Sequence, residues 1–178
     1  MRAPSFEELM LLEVDDLPAS DVLFFIRCLV DLAFEQSDMS LREKGTQKAL
    51  GWADSIGKLE MTDAERLDLD YFQAVAWHNR AGTAQTKKAA WAWDNEPLRH
   101  QILFSRRAVN NPAFANRAPA LQCSILTNPA NSLNTAGRFV EAQEYWNRAL
   151  AIEPRFWMTL GNRGAGRIEY ARVRTHNQ

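Results

Sequence analysis

The chain has 178 residues, 46% of them hydrophobic and 24% charged, which fits one compact domain or a short run of stacked repeats and excludes wholesale disorder. A net charge of −1 argues against a polyanionic partner for the molecule as a whole. The charge is unevenly placed, however: residues 1–70 carry seven Lys and Arg against sixteen Asp and Glu, and residues 71–178 carry fourteen against six. That asymmetry suits a basic face for an acidic partner, two ends of one molecule that attract, or two molecules meeting head to tail.

The opening MRAPSFEELMLLEVDD has acidic residues where a secretory leader needs a basic start and an unbroken apolar core. Pro18-Ala19-Ser20 precedes a helix over about 20–34, capped by Ser20 or Asp21, with Leu23, Ile26, Val30 and Phe34 at helical spacing. This is the most apolar stretch, yet Arg27 and Asp31 interrupt it and it is too short to span a bilayer. The expectation is a soluble cytoplasmic protein without a membrane partner. Cys28 and Cys123 stand alone, without a CxxC or a framework spacing, as expected of free thiols in a reducing compartment. Spacing alone does not decide whether they pair.

A second helix is predicted over about 41–59. Thr62-Asp63-Ala64-Glu65 reads as a capping box that opens a third, through Leu69, Phe72, Val75, Ala76 and His78. Residues 81–96 read as a loop with a short helical segment. They contain Trp91 and Trp93, whose spacing of two puts them on different faces of any helix. One reading has them anchoring the insertion; the other makes one an aromatic anchor for a partner. Pro97 suits the first turn of a helix carrying Leu98, Ile102, Leu103 and Val109, which Asn110-Asn111-Pro112 ends. No run alternates apolar and polar residues between turn signals, so no strand is predicted.

Between Cys123 and Pro154, Gly137-Arg138-Phe139 separates two helical patterns, the second being VEAQEYWNRALAIEP. Ala142, Trp146 and Ala149 recur at four and three residues, so small side chains flank one large aromatic on a single face. That is a helix–turn–helix hairpin with close helix approach. These residues resemble the tetratricopeptide repeat, a 34-residue helix–turn–helix unit. Setting Pro154 on its terminal proline places Leu126, Ala130 and Leu133 on the first helix, Gly137 in the turn, and Ala142, Trp146 and Ala149 on the second. One period later, Leu126 maps to Leu160 and Ala130 to Gly164.

The segment LGNRGAGR, residues 160–167, is therefore read as a repeat helix with Leu160 and Gly164 as packing positions. It lacks the GxxxxGK[ST] spacing and the preceding strand that phosphate loops require. Arg163 and Arg167 fall where the repeat is normally apolar, which suits a polar outer face on a capping helix. Pro129 departs from the pattern: either the first helix starts near it or it bends there.

The resemblance implies an all-α architecture of about seven helices, stacked as antiparallel hairpins in a right-handed solenoid. It divides the chain into a divergent helical-repeat region with the insertion, 1–119, and a segment 120–178 holding one hairpin at about 123–156 plus a capping helix. It further implies a concave groove, lined by first helices, that holds a peptide or a helical segment. The groove positions are Thr127, Asn128, Asn131, Asn134 and Thr135, then Asn162 and Ala165. Asparagine can both donate to and accept from a peptide backbone, and Asn128 and Asn162 are one period apart. Arg138, Arg163 and Arg167 would form a basic rim that steers an acidic peptide.

The order of elements is also similar to the repeat-containing front half of certain bacterial proteins whose rear half is a HEPN domain, a helical module often acting as a ribonuclease. That similarity implies an alternative, a truncated regulator of an RNA-targeting defence or toxin system that binds RNA or a nuclease partner. Arg172 and His176 do not reproduce that module's arginine–histidine spacing. Histidines 78, 100 and 176 share no metal-ligand spacing with either cysteine, and no GxSxG, HExxH or Walker lysine is present. Neither an enzyme nor a cofactor is expected.

Overall fold

Local capping chemistry marks where several of the helices begin. In the computed structural model, which describes residues 4–84 and 95–176, the first is α1, Phe6–Leu11, closed by a capping box. The Glu8 amide donates to Ser5 Oγ at 3.2 Å, and the Ser5 amide donates to Glu8 Oε2 at 2.7 Å. Helix α2, Ala19–Glu35, starts behind Pro18 without a side-chain cap, and Asp21 sits in its first turn. Asp38 caps α3, Met39–Ile56. The Thr62–Glu65 capping box opens α4, Asp63–Ala84, and the hydrogen bonds that the Thr62 amide and hydroxyl donate to the Glu65 carboxylate hold it below its ordinary pKa. Asn95 caps α5, Glu96–Asn110, with Pro97 in the first turn. A short 3₁₀ turn, Pro112–Asn116, leads to α6, Pro119–Thr135, followed by α7, Phe139–Ile152, and α8, Trp157–His176.

The fold is all-α: among the described residues there are eight α-helices and no strand. The helix beyond the expected seven is α1, whose six residues are too few to show a period. Part of the insertion belongs to α4, which extends to Ala84; Trp91 and Trp93 lie outside the described residues.

Three-residue connections turn α2/α3 and α6/α7 into hairpins, and α4 packs on α5 as a third pair. Each second helix also packs on the next first helix: α3 on α4, α5 on α6, α7 on α8. The first helices touch one another in order, α2 on α4, α4 on α6 and α6 on α8, whereas α3, α5 and α7 make no comparable backbone approach, and α5 reaches α7 through the Arg106–Glu141 ion pair. The first helices thus form an inner row and the second helices an outer one. Leu67 of α4 packs with Cys123, Ile125 and Leu126 of α6, so apolar packing runs straight across the 119/120 boundary.

Helix α6 begins ten residues before Pro129, which therefore lies in its interior and does not start it. Thr127 and Ser132 each donate a hydroxyl to the carbonyl four residues back, at 2.7 and 3.0 Å. Such back-bonds occupy carbonyl acceptors around a position where proline supplies no N–H. The α6–α7 turn closes through Gly137 at φ +76°, where Arg138 N–H donates to the Leu133 carbonyl and Gly137 N–H to that of Asn134. Leu126, Ala130, Ala142, Trp146 and Ala149 are all buried between the two helices, while Pro154 is exposed just past the end of α7.

The register along α8 differs from the 34-residue expectation. Leu160 and Gly164 are exposed, and no atom lies within 4 Å of where a Gly164 Cβ would stand. Thr159 and Gly166 are the buried positions, and a Cβ on Gly166 would sit 2.5 Å from Trp146 Cη2 and 2.8 Å from Asn134 Oδ1. The repeat assigns Leu160 and Gly164 to contacts with a second helix, and no described element covers that face. The packing glycine is Gly166, because it meets the ring of Trp146 in the preceding hairpin. Gly166→Ala is expected to destabilise the chain by about 1–3 kcal/mol through overpacking, read as a lower thermal unfolding midpoint.

Candidate functional site

One buried or half-buried polar contact ties each pair of neighbours in the inner row. Asn79 Nδ2 of α4 donates to the Val30 carbonyl of α2 at 3.1 Å. The Tyr71 hydroxyl of α4 hydrogen-bonds the Asn128 side chain of α6. The Thr127 hydroxyl of α6 meets that of Thr159 on α8, both fully buried. These contacts hold the first helices side by side and leave a cavity of about 510 Å³ where α2, α4 and the start of α6 converge.

Helix α2 contributes Arg27 and Asp31 to the cavity, α4 contributes Asp68, Tyr71, Phe72 and Val75, and the entry to α6 contributes Arg117 and Leu121. Arg117 is spent internally: it pairs with Asp68 at 2.7 Å and donates to the Ala64 carbonyl at 2.6 Å. Arg27 is exposed and has no hydrogen bond or ion pair among the described residues. Desolvation raises the pKa of Asp31, partly offset by the Arg27 charge, and raises that of Asp68, partly offset by Arg117. Tyr71 is also pushed up, chiefly by burial. Phe24 and Phe34 are half-exposed and share the outward face of α2 with Arg27 and Asp31, so aromatic surface flanks the charges. The wall is thus mixed: Arg27, Asp31, Asp68 and Arg117 alternate with Tyr71, Phe72, Val75 and Leu121, and Arg27 and Asp31 are the two charges without an ion pair among the described residues.

The asparagines expected to face a ligand are mostly engaged inside the chain. Thr127 is fully buried, Asn128 holds Tyr71, and Asn131 Oδ1 accepts from Trp146 Nε1 at 3.2 Å. Asn134 donates to the Glu169 carboxylate of α8. Asn162 is half-buried, Thr135 and Ala165 are exposed, and Thr135 bonds back to the Asn131 carbonyl. The arginines of the expected rim are engaged too. Arg138 pairs with Glu141, while Arg163 and Arg167 reach across to Asn147 and Gln143 of α7 at 3.0 and 3.2 Å. The predicted set therefore stitches α6, α7 and α8 together, whereas the open wall lies on α2 and α4. Asn131→Ala leaves the buried indole N–H of Trp146 without an acceptor. It should cost about 1–3 kcal/mol in a denaturant melt, as a structural residue would.

A second cavity of about 80 Å³ lies between α4, α5 and α6, lined by His78, Asn95, Gln101, Asn131, Ser132 and Thr135 among others. That is room for ordered water between polar walls. Gln101 Nε2 stands 3.1 Å from His78 Nδ1, and desolvation lowers the His78 pKa. The folded state thus favours the neutral ring, while the unfolded chain takes up a proton near pH ~6.5. Stability is fully present above that pH and is lost as pH falls toward the lower folded value. His78→Gln keeps an acceptor for Gln101 without titrating. In thermal melts between pH ~5 and ~7 it should therefore show a shallower loss of midpoint than the parent. The raised pKa values of Asp31 and Asp68 act with the opposite sign and are common to both chains.

Both cysteines are free thiols, and Cys123 Sγ donates to the Ala149 carbonyl at 3.3 Å. Among the described residues no group of His, Cys, Asp and Glu could hold a metal ion, and no helix is long and apolar enough to cross a membrane. The chain matches no protein-family model, and neither the curated proteins nor the solved structures contain a match.

Proposed function

We propose that this chain is a cytoplasmic protein-interaction module of the tetratricopeptide type, which holds a peptide or helical segment of a partner along the inner row of helices. The observation that carries this reading is the cavity of about 510 Å³ on α2, α4 and α6, where the exposed Arg27 stands beside Tyr71, Phe72, Val75 and Leu121. Tyr71, Phe72, Val75 and Leu121 supply anchor sites, and the exposed Arg27 guanidinium favours an acidic residue on the bound segment at that point of the wall.

An RNA partner is less well supported at this wall, because the basic residues in the middle of the chain are held in internal pairs. Arg107 pairs with Asp70 at 3.2 Å, Arg117 with Asp68, and Arg106 and Arg138 both with Glu141. Panning a displayed random-peptide library on the protein tests the reading. Enriched peptides should pair an acidic residue with apolar ones. Arg27→Glu should weaken them by about tenfold or more, whereas the exposed outer-row variant Arg99→Glu should not. No enrichment, or binding to RNA homopolymers that falls steeply with salt and ignores Arg27→Glu, would overturn it.

A further inference from the structure

The face of α8 turned away from α6 and α7 carries Trp157, Leu160, Gly161, Gly164 and Ile168 at helical spacing. Trp157 is 76% exposed, Leu160 42% and Ile168 56%, and no described element covers them. Gly161 and Gly164 have open space where a Cβ would stand. Glycine is the poorest helix former after proline, so a helix that only faced water would be better served by alanine at both positions. Bare backbone flanked by a tryptophan and two aliphatic side chains suits the close approach of another apolar surface.

Charge narrows the choice of partner independently. Residues 154–176 hold Arg155, Arg163, Arg167, Arg172 and Arg174 against Glu169 alone. Arg163 and Arg167 bond to neutral amides, so their charge is not cancelled. At the opposite end of the array, residues 4–26 hold Glu7, Glu8, Glu13, Asp15, Asp16 and Asp21 and no base. There Leu11, 82% exposed, lies one turn beyond Glu7 and Glu8 on the outward face of α1. Two α8 faces brought together would set arginines against arginines, whereas α8 against α1 sets arginines against carboxylates around an apolar centre.

We propose that the exposed face of α8 docks on the α1 end of a second copy, so that copies associate head to tail. Such an interface is heterologous: each copy keeps one open end of each kind, and growth does not stop at two. The opposite charges make it weaken with salt.

Sedimentation of the full chain over a concentration series, at low and high salt, reads this directly. The average mass should climb past two copies with concentration and fall back at high salt. The double variant Gly161→Gln, Gly164→Gln blocks the close approach while removing two poor helix formers. It should melt no lower than the parent yet lose association by about tenfold or more, and Leu11→Arg should do the same from the other end. Mixed together, these two variants should form a dimer and nothing larger, since each keeps one intact end. A parent that stays monomeric would overturn the proposal. So would a dimer that stops at two copies and ignores Leu11→Arg, or a mixture of the two variants that stays monomeric.

Discussion

Helix α4 has to be covered on several sides at once, and the rest of the structure is arranged around that requirement. It touches α2, α3, α5, α6 and the 3₁₀ turn. Its 22 residues bury Leu67, Leu69, Ala74, Ala76 and Ala81, but also Asp70, Gln73 and Asn79. Polar groups in that position are tolerated only with partners. Asn79 finds the Val30 carbonyl on one side, and Asp70 finds Arg107 on the other. The Asp70 carboxyl still has a raised pKa, because desolvation outweighs the nearby Arg107 and Arg66 charges. Helices α2 and α5 thus partner Asn79 Nδ2 and the Asp70 carboxylate as well as covering the apolar side chains of α4, which favours one rotation of α4 about its own axis even though Asn79 Oδ1 has no hydrogen bond among the described residues.

That rotation explains where the open groove lies. Tyr71 points to α6 and is held by Asn128, so the neighbouring Asp68 and Val75 line the cavity while Leu67 packs into the core beneath. Arg27 and Asp31 face the same space from α2, one helical turn apart. The groove is consequently set by how α2 and α4 sit against each other. The third hairpin contributes support, through the Tyr71–Asn128 contact and the Arg117–Asp68 pair, more than it contributes ligand surface.

Much of the fold was legible from local signals. The Thr62–Glu65 capping box, Pro97 in a first turn, Gly137 at the α6–α7 corner and the Ala142, Trp146, Ala149 face each describe a contact within one hairpin, and near-neighbour spacing is enough to read such contacts. The site was harder to read, because its contacts join residues far apart in sequence. Asn128 looks like a groove residue until Tyr71, 57 positions earlier, is placed beside it. Asn131 looks free until the indole of Trp146 arrives from the next helix. A signal for Arg27 and Asp31 was present: they interrupt the most apolar helix one turn apart. Read only as a bar to membrane insertion, they gave no hint that their face lines a cavity.

The uneven charge of the chain resolves into two regimes once the contacts are known. In the middle, acids and bases meet: Asp68 with Arg117, Asp70 with Arg107, and Glu141 with both Arg106 and Arg138. Three of these pairs cross between hairpin partners or between hairpins, so opposite charge in the two halves serves the stacking of neighbouring units. At the two ends one sign prevails in the sequence, acids from Glu7 to Asp21 and arginines from Arg155 to Arg174. Exposed pairs contribute little to stability, about 1 kcal/mol or less each. What the mid-chain pairs do contribute is register, because a slip of α5 along α4 would leave Asp70 buried without its guanidinium. The same acid–base sorting that ties α4 to α5, α4 to the entry of α6, and α5 to α7 therefore leaves the first and last helices of the array with charge of largely one sign.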